Sequence, residues 1–254
     1  MGNVRVAMAQ ILVEGGAPDA NLARAVARIM EAGAEGCDVV VLPECLDLAW
    51  THPSARTSAD PIPGARSGVL AGAAREARVH VVAGLTEGDG DHVRNTSLLI
   101  SPAGDILLKH SKINLLDIAR DVYEPGTSLS VAATPFGVVG IPICADNFGG
   151  CLHYSRALIG MGADIILSPC AWAVPPSFDD DETPYGGLWL DAYGTLARES
   201  GVPVVGVSNV GRMTGGPWDG HDCIGRSLAI GRDGEVAAHL PFGVDAECLR
   251  VVTL

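Results

Sequence analysis

Three side chains far apart in the chain, Glu44, Lys112 and Cys144, stand at the ends of apolar runs. Glu44 follows VVVLP, Lys112 closes ILLKHSK and Cys144 follows VVGIPI. A thiol is a weak nucleophile until it loses its proton. A neighbouring carboxylate can take that proton, and a neighbouring ammonium favours the thiolate and then faces the oxyanion of a tetrahedral intermediate. The set suits acyl chemistry through a thioester, in which one well-placed oxyanion donor contributes about 2.7–4 kcal/mol. It requires that the three strands be neighbours, with their ends at one edge, where α/β sheets commonly hold ligands.

The elements that must position them read as follows. Val4 to Ile11 is strand-like, with partial alternation and β-branched residues. Asn21 is placed to cap a helix carrying Leu22, Val26, Ile29 and Met30 at helical spacing and ending at Gly33 or Gly36. Residues 39–42 form a buried strand stopped by Pro43, and residues 67–78 a helix of small residues. Strands are expected over 80–85, 95–100 and 106–112 as hairpins of a mixed sheet, then over 138–143. A short helix over 152–161 leads to a strand over 165–167, closed by Ser168 and Pro169. Residues 173–186 read as a long loop and 188–199 as a helix with Trp189, Tyr193 and Leu196 on one face. Strands over 204–208, 227–230 and 236–240 follow, with a further one over 249–253. One internal echo stands out: GCDVVVLPE (36–44) resembles GADIILSPC (162–170). The succession predicts an α/β protein with sheets faced by helices on their outer sides.

Composition narrows the classes. The 254 residues, 48% apolar and 19% charged, suit one globular domain over 1–254. A net charge of −13 with no basic stripe argues against nucleic acid and anionic membranes as partners. No apolar run approaches the roughly 18–20 residues of a membrane span. The opening MGNVRVAMAQ lacks a secretory pattern, so a cytoplasmic protein is expected. Seven scattered cysteines read as reduced thiols. Cys151, His153 and Cys170 match no compact ligand spacing, so no metal is expected. His221-Asp222 in a glycine-rich loop and the acidic run Asp179 to Glu182 read as solvated loops.

The segments LPECLDLAW (42–50), KHSKINLL (109–116), EPGTSLSVAATPFGVVGIPICADNFG (124–149) and GADIILSPCAW (162–172) resemble the ordered motifs of the nitrilase superfamily of carbon–nitrogen hydrolases. LARESGVPVVGVSNVG (196–211) and GRSLAIGRDGEV (225–236) also fit, so the resemblance spans nearly the whole chain. It implies a four-layer αββα sandwich of two mixed sheets, pairing of two such units across a helical interface, no cofactor, and a catalytic triad whose matching positions are Glu44, Lys112 and Cys144. It further implies that the Ala145 N–H joins Lys112 at the oxyanion, with Asp146 and Asn147 also expected about the pocket; Trp172, which follows the strand end at Pro169, is expected either to wall it or to pack in the core.

Two departures from the family pattern matter. The second glutamate of many members falls on Ala119, leaving Asp121 or Glu124 as the substitute, with Asp121 reached by a shorter-spaced amidase pattern. After the nucleophile the chain reads Cys144-Ala145-Asp146, in keeping with the amidase and carbamoylase branch rather than the nitrile branch. The aromatic residue usual after the cysteine is missing and Gly149-Gly150 are extra, which predicts a roomier or reshaped pocket. The reading is therefore a hydrolase of a small linear amide or carbamoyl compound. The alternatives are an acyl transferase using the same thioester and a non-catalytic scaffold on the same fold.

Overall fold

The computed structural model describes residues 3–254. In chain order its regular elements are β1 (Arg5–Gln10), α1 (Pro18–Ala34), β2 (Val39–Val41), α2 (Ala55–Ser58), α3 (Ala65–Ala77), β3 (His80–Asp89), β4 (His92–Ile100) and β5 (Ile106–Ser111). After an irregular stretch come β6 (Ala132–Thr134), β7 (Gly137–Gly140), α4 (His153–Gly160), β8 (Ile165–Cys170), β9 (Ala173–Val174) and α5 (Gly187–Ser200). The chain finishes with β10 (Val204–Ser208), β11 (Val210–Arg212), β12 (Asp222–Ile224), β13 (Leu228–Ile230), β14 (Val236–His239) and β15 (Cys248–Thr253).

Two six-stranded mixed sheets result, ordered β15-β1-β2-β3-β4-β5 and β14-β13-β10-β8-β7-β6. Their side chains alternate by face, as the period of two in a strand requires. Val6, Met8, Val39 and Val41 of the first sheet meet Val139, Ile165, Leu167 and Val205 of the second in one buried layer. Ala7, Ala9 and Val40 turn the other way, onto Leu22, Ala25, Ile29 and Leu70 of α1 and α3. Ile166 and Val204 turn likewise onto Leu158 of α4 and Trp189, Tyr193 and Leu196 of α5. The layers are thus helix, sheet, sheet, helix, the αββα sandwich expected.

The sequence echo falls on equivalent places in a repeated unit. The first unit runs β1-α1-β2-α3-β3-β4-β5 and the second β7-α4-β8-α5-β10-β13-β14, with the same neighbour order and strand directions. In the echo Glu44 matches Cys170, and the two touch across the sandwich: the Glu44 N–H donates to the Cys170 carbonyl at 3.1 Å.

Several expectations are corrected. Asn21 does not cap α1, which starts with Pro18 in its first turn and Ala17 as a cap lacking a side-chain bond. Asn21 sits one turn in, exchanging hydrogen bonds with the Glu14 backbone and donating to the Asp47 carbonyl at 2.9 Å. β8 does not stop before Ser168-Pro169 but runs through both to Cys170. Proline is tolerated there because β7 pairs only as far as Ile166, leaving Pro169 a ladder partner on the β10 side alone. Asp222 opens a strand rather than sitting in a solvated loop: β12 joins β11 and β9 in a small third sheet beside the site. The acidic run is tied down in part, with Asp180 3.2 Å from the Arg226 guanidinium. No helix among the described residues is long and apolar enough to cross a membrane.

Candidate active site

Glu44 leaves β2 on a tightly held loop. Its neighbour Cys45 has φ 45°, a left-handed conformation. The strand beside it must come very close: a Cβ on Gly84 of β3 would lie 2.6 Å from Glu44 Cα, so only glycine fits. Asp47, wholly buried, fastens the same loop by accepting from the Thr86 N–H at 2.9 Å and the Arg66 guanidinium at 2.7 Å.

Lys112 follows β5 directly. Its N–H donates to the Asn95 carbonyl and its own carbonyl accepts from Gly126, both at 2.8 Å. A Cβ on Gly126 would stand 2.0 Å from the Ser111 carbonyl oxygen, which explains the glycine of the Pro125-Gly126 pair. The Lys112 side chain is 2% exposed and reaches Glu44 Oε1 at 2.6 Å. Asn95 Nδ2 donates to the same oxygen, also at 2.6 Å. Glu44 Oε2 is buried with no partner. Lys112 Nζ also lies 5.7 Å from the Trp50 ring centroid, within cation–π range.

Cys144 begins a turn of 3-10 helix, Cys144–Asn147, with φ 42°. Such a backbone is rare outside glycine and persists only where its surroundings hold it. Here they do. The Cys144 N–H donates to Ser168 Oγ at 3.1 Å, and Asn147 Nδ2 donates to the same oxygen at 3.1 Å. Asp146 Oδ2 accepts from the Ile143 N–H at 3.0 Å and contacts His110 Nε2 at 2.9 Å, while Oδ1 accepts from the Ile113 and Asn114 N–H groups. Asp146 therefore ties the Cys144 turn to the segment that carries Lys112.

Glu44, Lys112 and Cys144 line one cavity of ≈ 60 Å³, as do Ala145 and Trp172. Asp146 and Asn147 are corrected: both are buried behind the turn, fully used in holding it, and do not line the cavity. The second-carboxylate candidates are corrected too. Asp121 is exposed and its carbonyl accepts from Arg56, while Glu124 is exposed and lies 3.7 Å from His92. Both line a separate surface hollow. Ala119, the position matching the family's second glutamate, packs with Trp50, Tyr123 and Met213 in an apolar cluster. The cavity is reshaped rather than roomy, because Phe148 and Trp189 fill the space beside the Cys144 turn.

Electrostatics follow from burial. Burial, then a hydrogen bond with Cys170 and the charge of Glu44, push the Cys144 thiol well above the usual range, and Lys112 pulls it back only in part. The Lys112 ammonium is penalised most by burial, yet the charge of Glu44 and the hydrogen bond with it outweigh that and its pKa rises. Both shifts favour a protonated thiol beside the Lys112–Glu44 pair.

A residue-level reading of sequence misses Asn95 and Ser168. Each is a polar residue inside a strand, Asn95 in NTSLLI and Ser168 in IILSPC, and such a residue must find a partner once buried. That was the signal available for both.

A two-sheet α/β sandwich with a cysteine, a carboxylate and an ammonium about one cavity defines a class, and the comparisons agree with it. The carbon–nitrogen hydrolase family model matches residues 5–247. The chain belongs to the carbon–nitrogen hydrolase family of enzymes. It is 35% identical over 156 residues to omega-amidase NIT2 of Danio rerio, a match spanning 58% of this chain and 56% of that one. It is 34% identical over 177 residues to a nitrilase of Pyrococcus abyssi, spanning 68% of this chain and 66% of that one. The matches thus cover less than two thirds of these relatives' own lengths. The fold is that of the carbon–nitrogen hydrolase of Helicobacter pylori G27, with TM-score 0.88, 18% identity and coverage of 99% of this chain and 89% of that one. It is also that of an amidase from Nesterenkonia sp. AN1 in which acrylamide has added to the active-site cysteine, with TM-score 0.82, 21% identity and coverage of 99% and 93%.

Proposed function

We propose that this enzyme hydrolyses the C–N bond of a small linear amide or carbamoyl compound through a thioester on Cys144. The observation that carries the reading is the asymmetry of Glu44, which lines one cavity with Cys144: one carboxylate oxygen holds Lys112 and Asn95, and the other is buried without a partner.

In this reading Glu44 Oε2 takes the thiol proton as sulfur attacks the carbonyl carbon. Lys112 Nζ and the Ala145 N–H hold the oxyanion. The tetrahedral species collapses, the C–N bond breaks, and Glu44 returns the proton to the leaving nitrogen, so that ammonia or an amine departs. Water then gives a proton to Glu44 and attacks the thioester. The C–S bond breaks and Cys144 recovers its proton from Glu44. The neutral resting thiol fits this scheme, because proton removal belongs to the attack step.

The small cavity favours water over a bulkier acyl acceptor, so hydrolysis is preferred to transfer. Seven free cysteines accord with a reducing, cytosolic setting. Pairing with a second copy is part of the same proposal. The test is intact mass spectrometry with amide and ureide substrates. An acyl adduct on Cys144 during turnover, absent from Cys144→Ala together with all product, is expected. Product formation by folded Cys144→Ala ends the proposal.

A further inference from the structure

The chain contains four tryptophans, and all four line the cavity of Cys144: Trp50, Trp172, Trp189 and Trp218. They form two aromatic arms. On one, Phe148, Trp189 and Trp172 stack in sequence, with centroids 5.1 and 4.8 Å apart and planes within 21°. On the other, Trp50 meets Trp218 edge-on at 5.2 Å, and Trp218 is backed by His221 at 4.9 Å.

The charges in the lining are two, and they cancel. Among the described residues Lys112 is the sole cation there and Glu44 the sole anion, and they are joined at 2.6 Å. No guanidinium, imidazole or second ammonium of the described residues lines the cavity. Two neutral donors are at hand, since Trp50 Nε1 and Trp172 Nε1 are buried without partners. An indole N–H can satisfy a carbonyl or hydroxyl oxygen, but it cannot neutralise a carboxylate. A carboxylate on the acyl group would leave water for an apolar slot without a counter-cation, close to the Glu44 charge, in a protein of net charge −13.

We propose that this cavity selects amides of short, uncharged acyl groups and rejects amides whose acyl chain ends in a carboxylate. The proposal rests on the amidase reading above and names its substrate class. Selection works through charge, with the aromatic arms supplying apolar contact and the indole N–H groups meeting neutral oxygen acceptors.

The experiment compares two amides of nearly the same shape: 4-oxopentanamide, ending in a methyl ketone, and succinamate, ending in a carboxylate. Propionamide serves as a minimal neutral substrate. Ammonia release is measured against the Cys144→Ala background. The expected kcat/KM for 4-oxopentanamide exceeds that for succinamate by about 100-fold or more, the effect of burying an uncompensated charge. Equal or better turnover of succinamate overturns the charge selection and leaves the amidase reading intact. No turnover of any of the three above background overturns the amidase reading and the selection with it. A second variant makes the cause specific. Trp218 is only half-buried, and Trp218→Arg places a cation at the cavity. The ratio between the neutral and anionic amides is expected to narrow at least tenfold in that variant, and an unchanged ratio in folded Trp218→Arg counts against the proposal.

Discussion

Asn95 and Lys112 donate to the same oxygen of Glu44, each at 2.6 Å, although one lies in β4 and the other directly follows β5. Their shared target fixes the rotation of the carboxylate, and with it the direction of the free oxygen. Replacing Asn95 by Ala should lower kcat about 10- to 100-fold, in line with the ~1–3 kcal/mol cost of unpairing a buried polar group. KM should change little, because Asn95 does not line the cavity. Steady-state kinetics check the split, and a rise in KM at constant kcat would place Asn95 in substrate binding instead.

Lys112 and Glu44 are a buried ion pair, 2% and 1% exposed. Lys112→Met strands the carboxylate and should cost about 3–5 kcal/mol of stability as well as activity. The double variant Lys112→Met with Glu44→Gln removes both charges. Denaturant titration should show it recovering most of the lost stability while remaining inactive. A double variant no more stable than Lys112→Met would mean that the pair is not energetically coupled.

The Cys144 thiol is raised by burial first, then by its hydrogen bond with Cys170 and the charge of Glu44. Alkylation of Cys144 by iodoacetamide should therefore climb with pH, by up to about tenfold per unit while the thiol is mostly protonated. Removing the Cys170 contribution with Cys170→Ala should lower the thiol pKa and speed alkylation at neutral pH. Mass-spectrometric rates at Cys144 across pH 6–10 decide this, and a pH-independent rate would show a preformed thiolate.

Buried thiols also set an alkaline limit on stability. Burial raises the Cys45 and Cys144 thiols well above the usual thiol range, and pushes Cys223 up to about 12. In the unfolded chain these thiols ionise near pH ~8.5. Above that pH the unfolded state has released protons that the native state still holds, so stability falls as pH rises. The contribution is fully present below about pH 8.5 and, for Cys223, is lost progressively up to about pH 12. The melting temperature should drop between pH 8 and 10, and Cys223→Ala should show a shallower drop over that range in calorimetry.

Asp146 holds backbone N–H groups of Ile143, Ile113 and Asn114 and contacts His110. Asp146→Ala leaves these donors buried and unpaired and should destabilise the fold by about 3 kcal/mol or more. The ratio of kcat/KM between two amide substrates should stay the same in whatever folded enzyme remains. A changed ratio with full stability would return Asp146 to the pocket.

Much of the arrangement was legible before any coordinates. Apolar runs such as Val39 to Leu42 mark strands buried on both faces, and reactive residues at their ends stand out for that reason. The layered fold could also be read, since helical and strand periods alternate cleanly. Other features were not visible. Asn21 reads as a cap by residue type, but Asp47 and Glu14, distant in sequence or outside the helix, supply its partners. Asp146 and Asn147 adjoin Cys144 and so read as pocket residues, yet a 3-10 turn sends neighbouring side chains in different directions. Asp121 matched a shorter spacing and Glu124 stood nearby as the alternative, but that segment carries its carboxylates outward and packs Ala119 and Tyr123 inward. Strands β11 and β12 are three residues each and lie among glycines, too short for alternation to register.

The repeated unit has a consequence for how activity is assembled. Glu44 and Lys112 belong to the first copy, and Cys144 to the second. Each copy also covers one inner face of the other's sheet. If the polypeptide were severed between Gly126 and Ala132, one fragment would retain the base and cation and the other the sulfur. Under the proposed mechanism neither alone could complete a turnover, and any catalysis regained on mixing would report reassociation of the two halves.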